Sequence, residues 1–160
     1  QRFASDRHQA VAGDLLIVSG LEQGTTALTV TQRDGRWHTE VAWQNDGVSM
    51  YLSSPATDGR AIFGLSNRNR GQFFALDTAT GQTRWTTRGR EVENASIIRA
   101  GSLLLLFTTN GEMIVADADP ASYHEIRRYT VADSVVWAQP AVVGRLILVK
   151  DADTLTLWQV

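Results

Sequence analysis

Three histidines, two close-set pairs of aspartates and one arginine-rich loop are the residues of this chain whose chemistry could be put to work. His8, His38 and His124 are dispersed, and no carboxylate near them in sequence offers an orienting partner, so they form no metal-ligand or general-base motif. Asp117/Asp119 and Asp151/Asp153 have the alternate spacing of a calcium loop, yet neither pair is followed by the Gly and Glu such a loop requires. Both read as turn residues whose carboxylates bond nearby backbone N–H groups. The chain has no Cys, which removes disulfides and thiolate metal sites and fits a reducing cytosol and an exported protein equally well. No Gly-x-Ser-x-Gly elbow occurs. Asn94-Ala95-Ser96 fits a glycosylation sequon, a pattern short enough to recur by chance.

The loop Ser66-Asn67-Arg68-Asn69-Arg70-Gly71 stands above this background. Guanidinium forks suit carboxylates and phosphates, and Asn amides supply both donors and acceptors for a polar ligand. The plain alternative is an exposed hairpin tip whose arginines pair with nearby acids.

The elements that must position this loop show themselves by repetition. Gly13, Gly59, Gly101 and Gly144 open four similar apolar segments (GDLLIVSG, GRAIFGLS, GSLLLLFT, GRLILVK) at intervals of 46, 42 and 43 residues. A unit of that length holding only short strands is the pattern of a β-propeller, in which no blade buries its faces alone. The second unit sets the template, with strands in 53–57, 59–66, 71–77 and 82–87 and a tight Thr78-Ala79-Thr80-Gly81 turn. Leu103–Phe107 and Phe73–Leu76 are apolar at odd and even positions alike, so both faces of these sheets must be covered. Pro55 and Pro140 take equivalent places at strand starts, where a missing N–H is tolerated. Aromatic residues close three units at Trp43, Trp85 and Tyr129, whereas the fourth unit stops before its outer strand. Gln1–Ala4 offers a candidate for that missing strand, with Phe3 in the place of the aromatic.

At GQFFALDTATGQTRW (71–85) the chain resembles the PQQ-like (pyrroloquinoline quinone-like) β-propeller repeat family, through Ala75, Asp77, Thr80, Gly81 and Trp85. The resemblance runs unevenly over the whole chain: Trp43 lacks the Asp-x-x-Thr-Gly turn, and Ala116-Asp117 is followed by Tyr129 rather than Trp. It implies that Trp85 docks against the turn of a neighbouring blade, and it points to a bacterial exported protein, periplasmic or secreted. Members of the family include quinoprotein alcohol dehydrogenases, which hold the quinone and calcium at the ring axis, and non-enzymatic scaffolds such as the lipoprotein of outer-membrane β-barrel assembly. The quinoproteins commonly add a vicinal cysteine pair, which is missing here.

The expected fold is therefore all-β, a propeller segment of about four blades of four-stranded antiparallel sheets, forming half a propeller or part of a larger ring. One array spans 1–160, with blades at 5–44, 53–87, 94–131 and 137–160. A net charge of −2 with no basic stripe argues against nucleic acid, and no apolar run is long enough to span a bilayer as a helix. The expected function is a non-catalytic binding or protein-interaction scaffold without cofactor, acting as a homodimer or within a longer chain. A fragment of a PQQ- and calcium-dependent dehydrogenase is the alternative, and a purely structural ring-completing segment a further one. The candidate face for a protein or small polar ligand comprises Asn67, Arg68, Asn69 and Arg70 with Asp46, Tyr51, Glu91, Asn94, Asp133, Trp137 and Lys150, because loops between second and third strands share one face with the blade connections. Trp43, Trp85, Tyr129 and Gly81 are the expected docking residues between blades.

Overall fold

The computed structural model describes residues 7–159, so the strand expected of residues 1–4 lies outside the described residues. Among the described residues fifteen strands form four antiparallel sheets. The first holds β1 (Arg7–Ala12), β2 (Leu15–Gly20), β3 (Thr25–Arg33) and β4 (Arg36–Asn45). The second holds β5 (Ala56–Thr57), β6 (Ala61–Ser66), β7 (Gln72–Asp77) and β8 (Thr83–Thr86). The third holds β9 (Ala95–Ala100), β10 (Leu103–Thr108), β11 (Glu112–Asp117) and β12 (Glu125–Thr130). The fourth has three strands, β13 (Ala141–Val143), β14 (Leu146–Lys150) and β15 (Leu155–Gln159). Each sheet is a meander with its strands in chain order.

The repeated glycines turn the first hairpin of every sheet. Gly13, Gly59, Gly101 and Gly144 have φ between +58° and +87°, and a Cβ at any of them would meet nothing within 4 Å. Their recurrence reflects backbone conformation rather than crowding. Two first strands are shorter than the expected 53–57 and 138–143, since β5 begins at Ala56 and β13 at Ala141. The residues before β5 are engaged elsewhere: the Ser53 hydroxyl donates to the Ala95 carbonyl of the third sheet, 2.8 Å away.

Three buried clusters join the sheets in sequence. Ile17, Ala27 and Trp43 meet Ile62, Phe74 and Leu76; Phe63, Phe73 and Ala75 meet Ile97, Leu104 and Ile114; Leu105, Phe107 and Met113 meet Ile147 and Val149. Odd and even residues of β6, β7 and β10 thus serve different clusters, which is why those strands are apolar on both faces. No buried cluster among the described residues joins the fourth sheet to the first.

A β-bulge recurs in each complete sheet, between Ala27 and Leu28, Ala75 and Leu76, and Val115 and Ala116. At its head Ala27 faces Trp43 and Ala75 faces Trp85, a small residue opposite a large one. In the third sheet the same place is taken by Arg127, opposite Val115, whereas Tyr129 faces Met113 two pairs further on. Tyr129 is therefore not the structural counterpart of the two tryptophans. The 42-residue step from Trp43 to Trp85, repeated once, lands on Arg127, and the nearest aromatic, Tyr129, stands two residues beyond it.

Candidate interaction face

The second-to-third strand loops and the connections between sheets lie on one side, held together by backbone hydrogen bonds. Asn67 N–H donates to Ser49 O at 2.8 Å, Arg90 N–H to Asn69 O at 2.9 Å, Thr109 N–H to Asn94 O at 3.0 Å and Val136 N–H to Thr109 O at 3.1 Å. The arginine loop forms a short 3-10 turn, Arg68–Arg70, closed by Gly71. Gly71 (φ +97°) is pressed so closely on the next connection that an added Cβ would stand 1.9 Å from Val92 O. Loop and connection are thereby locked in one arrangement, with little room to change it.

That lock holds three side-chain-bearing residues in the left-handed region: Asn69 (φ 51°), Arg70 (φ 62°) and Arg90 (φ 63°). Each such placement costs an L-residue about 1 kcal/mol. Asn69 offsets part of its cost by donating from Nδ2 to Gln72 Oε1 at 2.9 Å. Arg70 and Arg90 line a hollow of about 520 Å³ with Tyr51, Asn67, Asn110 and the two carboxylates Glu91 and Glu93. The amide oxygen of Asn67 is buried without a hydrogen-bond partner among the described residues. No described ion pair involves Arg68, Arg70, Arg88 or Arg90.

The opposite side behaves differently. There Arg84 pairs with Asp77 at 2.5 Å and Arg60 with Asp58 at 3.3 Å. The Arg84 hydrogen bond, aided by the Thr80 hydroxyl and N–H, holds the Asp77 carboxyl down at about 2. Asp151 is also held at about 2, by the N–H groups of Thr154 and Asp153 and the Thr154 hydroxyl. Asp77-x-x-Thr80 and Asp151-x-x-Thr154 thus make the same carboxylate-capped turn in the second and fourth sheets.

Of the expected face, the structure brings Tyr51, Asn67, Arg70 and Glu91 around one hollow, with Arg68 and Asn69 exposed on its loop. Asp46, Asn94, Asp133, Trp137 and Lys150 do not line it. Asn94 is buried and tied to the fold, donating from Nδ2 to Leu52 O at 2.9 Å and accepting from Ala95 N–H at 2.9 Å. Lys150 Nζ is held by the carbonyls of Asp151 and Ala152. Trp137 is exposed, as are Asp46 and Asp133. Arg88 and Arg90 were not anticipated. The signal was Arg88-Gly89-Arg90, which repeats the spacing of Arg68 and Arg70 in the next loop on the same side.

One histidine departs from expectation. His124 Nδ1 lies 2.7 Å from Asp117 Oδ2, because the β11–β12 turn folds two residues seven apart onto each other. Both are well exposed. Among the described residues no group of three His, Cys, Asp or Glu could hold a metal ion. No helix among them is long and apolar enough to cross a membrane.

No protein-family model matches the sequence, and no curated protein matches it. Solved structures do resemble its backbone. The computationally designed Ika4 protein matches with a TM-score of 0.75 and 10% identity, over 100% of this chain and 94% of that one. The WD40 β-propeller domain of Doa1 matches with a TM-score of 0.66 and 14% identity, over 99% of this chain and 53% of that one. BamB from Moraxella catarrhalis matches with a TM-score of 0.63 and 15% identity, over 86% of this chain and 43% of that one. The chain is a β-propeller array spanning about half the length of these last two structures.

Proposed function

We propose that the chain is a non-catalytic protein-interaction scaffold on which the arginine loops between the second and third sheets receive an acidic segment of the partner. The observation that carries this reading is the pair Arg70 and Arg90. Both stand in the costly left-handed region beside one hollow, and neither has an ion-pair partner among the described residues, whereas Arg60 and Arg84 on the opposite side are each paired with an aspartate. Backbone strain at an exposed, charged place is stored where it serves a contact.

The finer family reading, PQQ-like rather than WD40-like, rests on the Ala75, Asp77, Thr80, Gly81 and Trp85 motif. With it comes a bacterial periplasmic or secreted setting, supported by the resemblance and by the likeness to BamB. Neither the quinone nor calcium belongs to this function. A purely structural, ring-completing role is the second reading, favoured by the exposed apolar residues Val143, Leu155 and Leu157 of the fourth sheet. In either case the chain works as an arc of a larger ring, as a pair of chains or within a longer one.

Fluorescence anisotropy with a labelled all-glutamate peptide tests the arginine face. Binding at low salt should weaken about tenfold or more in the Arg70→Glu, Arg90→Glu double variant. Absence of binding, or binding indifferent to the reversal, would leave the structural reading in its place.

A further inference from the structure

We propose that two copies of this chain pair through the outer edge of β4, antiparallel and about a two-fold axis at Thr39. This goes beyond the arginine hollow and rests on none of its residues.

The hairpin of β3 and β4 is longer than its counterparts. Past the bulge it continues through six residue pairs, from Leu28/Val41 to Arg33/Arg36, where the hairpins of the second and third sheets make one, Leu76/Thr83 and Ala116/Glu125. At ~3.4 Å per residue it reaches about 17 Å further from the body of the array. Every residue from Val30 to Val41 is exposed. A two-stranded ribbon bare on both sides is only marginally stable by itself.

Its turn decides which backbone groups are free. Asp34 and Gly35 have φ of 51° and 74°, as a two-residue type I′ loop requires, so Arg33 and Arg36 exchange the closing hydrogen bonds. Alternation then leaves the N–H and C=O of Trp37, Thr39 and Val41 pointing away from β3. The Glu40 carbonyl points the other way and accepts from the Thr29 hydroxyl of β3 at 3.3 Å. No strand among the described residues pairs with the outer edge of β4. A further sheet stacked on the first would leave that edge free, because the second and third sheets are packed on both faces and the outer edges of β8 and β12 still pair with no described strand.

A long bare edge is a template for another strand, and this one is its own complement. About Thr39, an antiparallel second copy sets Trp37 opposite Val41, His38 opposite Glu40 and Thr39 opposite itself. These are an aromatic against a β-branched residue, a basic side chain against an acidic one and two hydroxyls together, the kinds of cross-strand pair that stabilise a sheet. The register also suits the free backbone groups, since Trp37/Val41 and Thr39/Thr39 would each exchange both hydrogen bonds. Trp37 and Val41, 69% and 58% exposed in the single chain, then lie against each other across the seam. Such a patch meeting itself is what a two-fold dimer demands. The other outer edges lack this property: β8 has four residues, and a pairing centred on Arg127 or Arg128 of β12 sets a guanidinium against its own copy.

Sedimentation velocity on the purified chain across the micromolar range tests this, with a particle of twice the 17.6 kDa chain mass expected. His38→Glu and Glu40→Lys change exposed side chains, so circular dichroism should remain that of the parent. Each sets like charges opposite one another on both sides of the axis and should weaken the dimer about tenfold or more. Mixed in equal amounts they should restore it, because the introduced glutamate then meets the introduced lysine while Glu40 of one copy meets His38 of the other. Thr39→Cys, in a chain that has no other Cys, reads the axis directly. Residues opposite each other at such a pair have Cα atoms about 5.5 Å apart, within disulfide reach, so this variant should cross-link to a dimer on mild oxidation whereas Thr31→Cys on β3 should not. A parent chain that stays monomeric overturns the proposal, as does a dimer indifferent to both charge variants or a mixture that associates no better than either variant alone. Equal cross-linking at residues 31 and 39 also overturns it. None of these outcomes bears on glutamate-peptide binding, so the two readings fail separately.

Discussion

Between the first and second sheets the indole of Trp43 lies 8% exposed over the turn that ends β7, donating from Nε1 to Thr78 O at 2.9 Å. Gly81 makes the contact possible, because a Cβ there would stand 2.3 Å from the ring. Asn45 completes the seam by donating from Nδ2 to Gly81 O at 2.6 Å. Between the third and fourth sheets nothing comparable forms. Tyr129 is 44% exposed and, with Leu105, Met113, Val131, Ile147 and Trp158, borders a cleft of about 680 Å³. The two seams share their inner cluster chemistry but differ at the rim. Trp43 is received by the third-to-fourth strand turn of the next sheet, and among the described residues the fourth sheet has three strands and no such turn. Trp158 partly compensates by reaching back, its Nε1 donating to Val131 O at 3.1 Å.

The largest expected effect follows directly. Trp43→Ala should cost about 3–5 kcal/mol, the range for removing a large buried aromatic, and Tyr129→Ala less than about 1 kcal/mol. Urea midpoints measure both. Equal losses would mean that the two rims are energetically alike and that the missing turn is immaterial.

The open seam also explains what could be read from the sequence and what could not. The four glycines, the apolar runs Leu103–Phe107 and Phe73–Leu76, and the Ala75–Trp85 motif carried the propeller architecture, because hairpin turns and doubly covered strands leave period and composition signals in one dimension. The docking role of Trp85 came only as what the family resemblance implied, and its Nε1 donates to Asp119 O in the β11–β12 turn at 2.9 Å. Tyr129 was misplaced because the repeat position carries Arg127, and an aromatic two residues on, on the same strand, stood in for it in the sequence. The arginine hollow was half legible. The loop 66–71 stood out by its density of guanidiniums, but Arg90 joins it only through the fold of the connection. Asp151-x-x-Thr154 was seen as an acidic pair with Asp153, although its Asp-x-x-Thr spacing matched Asp77-x-x-Thr80.

Those two turns allow an intermediate effect to be separated by cause. Asp77 and Asp151 sit at about 2 in the folded chain, below the ~3.9 of an unfolded Asp. Their depressed values favour the folded state at pH above about 4, and that contribution is lost as pH falls toward 2. Stability measured by urea titration should therefore decline across that window. The share due to Asp77 depends first on Arg84, half exposed, so 1 M salt should shrink it, whereas the backbone-bonded Asp151 should keep its share. Comparing Asp77→Asn and Asp151→Asn at low and high salt reads the difference; identical salt responses would show that the arginine contributes nothing beyond the turn.

The smallest effect on stability should come from Arg68→Ala. Arg68 is exposed on the interaction face and enters no described ion pair, so its removal should change the unfolding free energy by less than about 0.5 kcal/mol. Its backbone N–H, which donates to the Ser66 hydroxyl at 3.3 Å, is retained in the variant, and its carbonyl still accepts from Gly71 N–H at 3.1 Å. The loop should therefore keep its shape while losing one guanidinium. Set against Trp43→Ala in the same urea titration, this isolates the arginine loop from the seams that hold the sheets together. A midpoint shift for Arg68→Ala comparable to that of a seam variant would make the arginine a structural strut, and the strain at Arg70 and Arg90 would then belong to folding rather than to recognition.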